Sequence, residues 1–124
     1  MAEHVGVNEF IVRDVTIHRR GTFATFLRRI EDAWAALNRF FEDTKQDYAR
    51  FNYIGEWHSH PSFVPVPSDR DHRSMYEIVS DPSVGANFAV LVIVRLNTTG
   101  ILIGTAHTYL PDGRAQLSTL LVQR

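Results

Sequence analysis

Residues 88–95 run Phe-Ala-Val-Leu-Val-Ile-Val-Arg, almost without a polar side chain. An apolar run of that length is expected of a central strand covered on both faces. At 124 residues the chain has room for one core, and so for one domain, residues 1–124, with one main site. The fold class that follows is α/β, a single-domain mixed β-sheet flanked by helices.

The rest of the chain fits around that strand. Residues 10–17 alternate and are rich in β-branched side chains, predicting a strand with one buried face. Over residues 25–45, Phe26, Ile30, Trp34, Leu37, Phe40 and Phe41 recur at three-to-four spacing, with Arg28, Arg29, Glu31 and Asp32 among the outward positions, which predicts an amphipathic helix. Residues 51–57 form a short aromatic and apolar run, read as one strand. Residues 61–68 contain three prolines and must be loop. Ser68 or Asp69 can cap a helix to about Val79, broken by Asp81, Pro82, Ser83 and Gly85. A turn at residues 97–100, a strand over 101–109, a turn at Pro111, Asp112 and Gly113, and a last strand over 115–122 complete the order.

Composition narrows the chemistry. With 13 basic and 14 acidic residues and a net charge of −1, nothing argues electrostatically for nucleic acid or for an anionic membrane surface as partner. There is no cysteine, so disulfides, thiolate nucleophiles and cysteine-ligated zinc are excluded, and any metal must be held by histidine and carboxylate. No stretch approaches the roughly 18 apolar residues of a membrane span, and the N-terminus lacks a signal pattern, so the expected location is cytoplasmic.

The residues that meet this requirement cluster. In an extended segment His58 and His60, two apart, point to the same side and can grip one ion together. Asp71, just inside the predicted helix, can supply a carboxylate because the proline-rich loop lets the chain turn back over the histidines. Two histidines and a carboxylate leave the fourth tetrahedral position of Zn2+ open to water, as in a catalytic site. Zinc lowers the pKa of such a water towards neutrality and polarises a carbonyl. Ser68, three residues before Asp71, can donate a hydrogen bond to a developing oxyanion. It is not placed as a nucleophile, since both nearby histidines are taken by metal and no base remains for it. Iron or cobalt would accept the same ligands.

The string His58-Ser59-His60-Pro61, followed at matching spacing by Ser68 and Asp71, resembles the signature of the JAMM (MPN-plus, JAB-domain) zinc metalloproteases, isopeptidases that remove ubiquitin and ubiquitin-like modifiers from lysine. The resemblance covers about residues 10–109. It implies a cytidine-deaminase-like α/β sandwich, zinc held by His58, His60 and Asp71, oxyanion stabilisation by Ser68, and a ubiquitin-like protein or its conjugates as partner. The phrase Tyr53-Ile54-Gly55-Glu56-Trp57-His58 resembles the bacterial branch, some members of which accompany ubiquitin-like conjugation systems in phage-defence operons.

The family also uses a glutamate on an early strand as general base, typically opening a Glu-x-x-Gly segment. Glu3-His4-Val5-Gly6 has that text, but residues 1–9 show no apolar alternation long enough for a strand. The expectation is therefore that the family's first strand and its glutamate are missing from the chain, by a downstream start or by degeneration. Glu9 is a weaker alternative, and Glu56 shares the face of His58 if residues 56–58 are extended.

Set beside these are plainer roles. Ser68 is a good N-cap whatever else it does, and Asp71 suits a helix first turn. Trp34, Phe40 and Phe41 are expected in the core. His18, His72 and His107 are expected on the surface or in loops, and Arg19 and Arg20 beside Gly21 in a solvated turn. Phe63, Val64 and Val66 hint at a contact surface. Two rivals to an isopeptidase stand: an inert MPN-type binding or scaffold module, and a metal-assisted hydrolase of a small amide.

Overall fold

The computed structural model describes residues 1–17, 23–60 and 64–123, and of residues 23–32 the backbone. The fold is mixed α/β, with two helices and two sheets among the described residues. His18, Arg19, Arg20, Gly21 and Phe63 lie outside these residues, as do the side chains of Phe26, Arg28, Arg29, Ile30, Glu31 and Asp32. The chain forms two compact units, residues 1–53 and 54–124.

In the first unit, β1 (Ala2–Gly6) and β2 (Glu9–Val12) make an antiparallel hairpin, and β1 also pairs with β3 (Phe51–Asn52), giving the order β2-β1-β3. The expectation that residues 1–9 hold no strand is thus corrected. A two-residue turn with Asn8 at φ 55° reverses the chain, a conformation asparagine tolerates, so a strand too short and polar to show alternation is fixed by its turn. The predicted strand over 10–17 ends at Val12. Helix α1 (Phe23–Asp43) stops where Lys45 and Gln46 turn left-handed and the Gln46 N–H reaches back to the Phe41 carbonyl. Phe40 is buried and meets Phe51 edge-on, as expected of core, but Trp34 is 59% exposed, against expectation.

Glu3 is buried on β1 and both its oxygens are occupied. The Arg13 Nε donates to Oε2 at 2.7 Å, and the Arg50 Nε and Nη2 donate to Oε1 at 2.9 and 2.6 Å. The Arg50 and Arg13 guanidinium groups hold the carboxyl below its ordinary value of 4.5.

The run 51–57, read as one strand, divides between the two sheets. The Asn52 side chain takes the Tyr53 N–H, and the chain resumes as β4 (Gly55–Ser59) in the second unit. There the sheet order is β4-β5-β6-β7, with β5 (Ala89–Leu96) parallel to β4 and antiparallel to β6 (Leu102–Tyr109), which pairs with β7 (Ala115–Ser118). The apolar run is central, as its composition requires. Its Ala89, Leu91 and Ile93 are fully buried against Met75 and Val79 of helix α2 (Asp69–Ser80), while Val90, Val92 and Val94 on the other face are half-buried. Each such large aliphatic side chain contributes about 1.5–3 kcal/mol when removed from water.

Gly55 is demanded by this packing: it sits at φ 154°, and a Cβ there would overlap the Val90 carbonyl of β5. Gly55→Ala should therefore cost at least about 2 kcal/mol, read as a lower urea midpoint. For Glu3 the folded pKa lies below the unfolded one, so its contribution is complete above about pH 4.5 and fades as pH falls through the lowered folded value. Urea titrations between about pH 3 and 6 should show that slope, and Glu3→Gln should flatten it.

Candidate metal centre

The register of the second sheet decides what His58 stands beside. His58 of β4 is level with Ile93 of β5, which is level with Thr105 of β6, so the three side chains form a row on one face. Ile93 is buried against α2, so that row faces the helix. Along α2 the buried residues Asp71, Met75 and Val79 stand four apart in one stripe, with Asp71 at its N-terminal end. Packing the apolar part of the stripe on β5 therefore delivers the carboxylate over the histidine strand.

The distances agree. Asp71 Oδ1 is 2.9 Å from His58 Nδ1, and Oδ2 is 3.6 Å from His60 Nε2. One ligand atom from each of the three residues lies within 4.8 Å of the others. The side chains are 39% (His58), 19% (His60) and 10% (Asp71) exposed, so the cluster rests on a buried carboxylate and opens to solvent past His58. Two imidazoles and one carboxylate at these separations can hold a metal ion, and they are the donor set zinc takes without cysteine.

Ser68 is the N-cap of α2 in a full capping box. Its Oγ accepts from the Asp71 N–H at 3.1 Å, and its own N–H donates to Asp71 Oδ2 at 2.8 Å. Accepting that bond leaves the hydroxyl a single proton to donate, to the Asp71 carboxylate or outward to a bound oxygen. Burial pushes the Asp71 carboxyl up, but the Ser68 backbone and side chain and the adjacent His58 outweigh it, leaving it below the ordinary value of 3.8. It is an anion at neutral pH.

Sequence reasoning thus named the four residues that come together here, and underrated two others. His72 and His107 are half-buried and hydrogen-bonded rather than surface residues: His72 Nδ1 lies 2.8 Å from the Tyr109 hydroxyl, and His107 Nε2 lies 2.8 Å from Thr105 Oγ1. The signal was available, since His107 sits two residues from Thr105 and Tyr109 on a strand, and alternation puts all three on the inner face. Glu56 lies on the same face of β4 as His58 and is exposed.

The family model for prokaryotic homologs of the JAB domain matches residues 5–109, a segment that includes the whole cluster and begins just after Glu3. No curated protein and no solved structure matches the chain. No helix among the described residues is long and apolar enough to cross a membrane.

The reciprocal bonds make a separable prediction. Ser68→Ala should cost about 1 kcal/mol of stability as a lost cap. Asp71→Asn, which keeps an acceptor for the Ser68 N–H, should cost less in stability while removing the anionic ligand. Urea unfolding together with zinc titration of the two variants separates capping from ligation.

Proposed function

The chain belongs to the family of prokaryotic JAB-domain homologues, and from that premise we propose that it is a zinc-dependent hydrolase of JAMM type, cleaving a peptide or isopeptide bond at the C-terminus of a ubiquitin-like protein. The observation that carries the proposal is the convergence of His58, His60 and Asp71 on one point, with Ser68 fixed to Asp71. In this reading the three residues hold the ion. Zinc, when bound, supplies Lewis acidity to a substrate carbonyl and to water. Ser68 offers its hydroxyl proton to the oxygen that becomes negative as the carbonyl is attacked. The buried, ionised Asp71 keeps the imidazoles oriented and balances the positive charge. The substrate class rests on family membership.

The base has two candidates. Glu3 gains standing because a strand carries it, and its Glu-x-x-Gly text is that of the family's glutamate. Glu56 is supported by its place on the ligand face of β4.

One observation favours the rival reading, an inert scaffold module that keeps the metal cluster. Both oxygens of Glu3 are bound by Arg13 and Arg50, which depress its pKa, and a depressed pKa weakens a general base at neutral pH.

Metal analysis by mass spectrometry on the wild type and on His58→Ala/His60→Ala, coupled to cleavage of a C-terminal fusion of a ubiquitin-like protein, tests the proposal. About one zinc per wild-type chain is expected, with loss in the double variant and chelator-sensitive cleavage that Ser68→Ala slows about 10²-fold. Glu3→Gln and Glu56→Gln then identify the base by which one abolishes turnover while retaining zinc. A folded wild type without stoichiometric metal sinks the metal-centre reading, and zinc without cleavage hands the case to the scaffold.

A further inference from the structure

The proline-rich segment that separates His60 from Ser68 is tied down in its middle by the sheet. Thr105 Oγ1 lies 2.6 Å from the carbonyl oxygen of Pro65, forty residues away in sequence, and 2.8 Å from His107 Nε2. Pro65 itself sits at the centre of a tight turn closed by the Val66 N–H on the Val64 carbonyl at 2.7 Å, a geometry that the ring's fixed φ favours.

Hydrogen-bond accounting orders this chain of contacts without ambiguity. A carbonyl oxygen only accepts, so the single hydroxyl proton of Thr105 must go to Pro65. The hydroxyl oxygen is then the acceptor for His107, whose Nε2 must carry a proton. Burial, with a smaller effect from neighbouring His72, holds His107 below the ordinary value of 6.5, so the ring is neutral at pH 7 and its Nδ1 is bare. The direction of donation therefore runs from His107 through Thr105 to the loop.

We propose that Thr105 and His107 are positioning residues for the metal centre, clamping the proline-rich loop onto the sheet through the Pro65 carbonyl. Thr105 stands in the same cross-strand row as His58, two strands away, or about 10 Å across the sheet. The clamp consequently fixes the loop over the face from which His58 rises. The loop is pinned at its start by the His60 N–H on the Val94 carbonyl at 3.0 Å and at its end by the Ser68 cap. With Pro65 held between these points, the described part of the loop, residues 64–68, is fixed at its middle and at the end that leads to Asp71. The same pinning leaves the two residues flanking Pro65 presented outward, Val64 at 68% and Val66 at 58% exposure.

What the clamp serves rests on the metal-centre reading; the clamp itself does not, and the test is built to tell the two apart. In the wild type, nitrogen NMR of His107 should report a neutral ring protonated at Nε2. Thr105→Val, which keeps the shape and removes the hydroxyl, should release that tautomer preference and speed amide exchange at Val66 about tenfold or more, with no comparable change in β5. Zinc affinity should fall about tenfold, the scale on which outer residues support ligands. Thr105→Ser, which restores the hydroxyl, should recover all three, and it keeps the test decisive should the valine variant fold poorly. A His107 ring protonated at Nδ1, or wild-type exchange at Val66 in Thr105→Val, overturns the clamp. Unchanged zinc affinity with faster exchange overturns its service to the site. A wild type that binds no zinc overturns the metal-centre reading and leaves the clamp to be judged by tautomer and exchange.

Discussion

The reciprocal hydrogen bonds between Ser68 and Asp71 are the constraint on which the second unit's site depends. Two otherwise orphaned N–H groups at the start of α2 are satisfied by this one pair. In doing so they fix the rotamer of the carboxylate that faces His58. The helix needs the cap, and the cluster needs the carboxylate held still, so one local arrangement meets both demands. A residue with the right charge but no place in the cap would be free to swing away, at an entropic cost on binding an ion.

The second constraint is the sheet register. The row His58, Ile93, Thr105 places a member of the metal-binding candidate cluster, a core residue and the residue that bonds the Pro65 carbonyl side by side. Ile93 is wholly buried, so a one-residue slip of β4 or β6 against β5 would expose core and turn His58 or Thr105 to the opposite face. The apolar drive that seats α2 on β5 thereby protects the polar geometry above it. Gly55 belongs to the same device, since only a residue without a side chain lets β4 enter so close to Val90.

What the sequence revealed and what it hid follow from how far each interaction reaches along the chain. The cluster of His58, His60, Ser68 and Asp71 was legible because its logic is local: two histidines two residues apart in extended chain, and a serine and an aspartate three residues apart across a helix cap. The central strand announced itself by composition. The first strand of the hairpin at residues 1–12 did not, because it is short and carries Glu3 and His4 among few apolar residues, and its anchorage draws on partners ten and forty-seven positions away in sequence; its partner β2 overlaps the run at residues 10–17 that reads as a strand. The break in residues 51–57 was equally hidden, since it hinges on a side-chain bond from Asn52 and on a glycine conformation. Trp34 satisfies the helical period and is nonetheless largely exposed, a reminder that periodicity reports a stripe and leaves open which part of it is covered.

The contrast between Asp71 and Glu3 carries the chemistry one step further. Both are buried carboxylates held ionised by donors, but the donors differ in kind. Asp71 is held chiefly by neutral groups of Ser68 and by the His58 imidazole, so it keeps its charge available to a cation. Glu3 is held by two guanidinium groups, so its charge is already balanced and its affinity for a further proton is reduced. A carboxylate so saturated serves well as an anchor for the hairpin, joining β1 to Arg13 beyond β2 and to Arg50 before β3. To serve as a base it would have to release at least one guanidinium, giving up charge-assisted hydrogen bonds that are each worth more than a neutral one. The proton affinity of Glu3 is therefore set by how tightly Arg13 and Arg50 hold it.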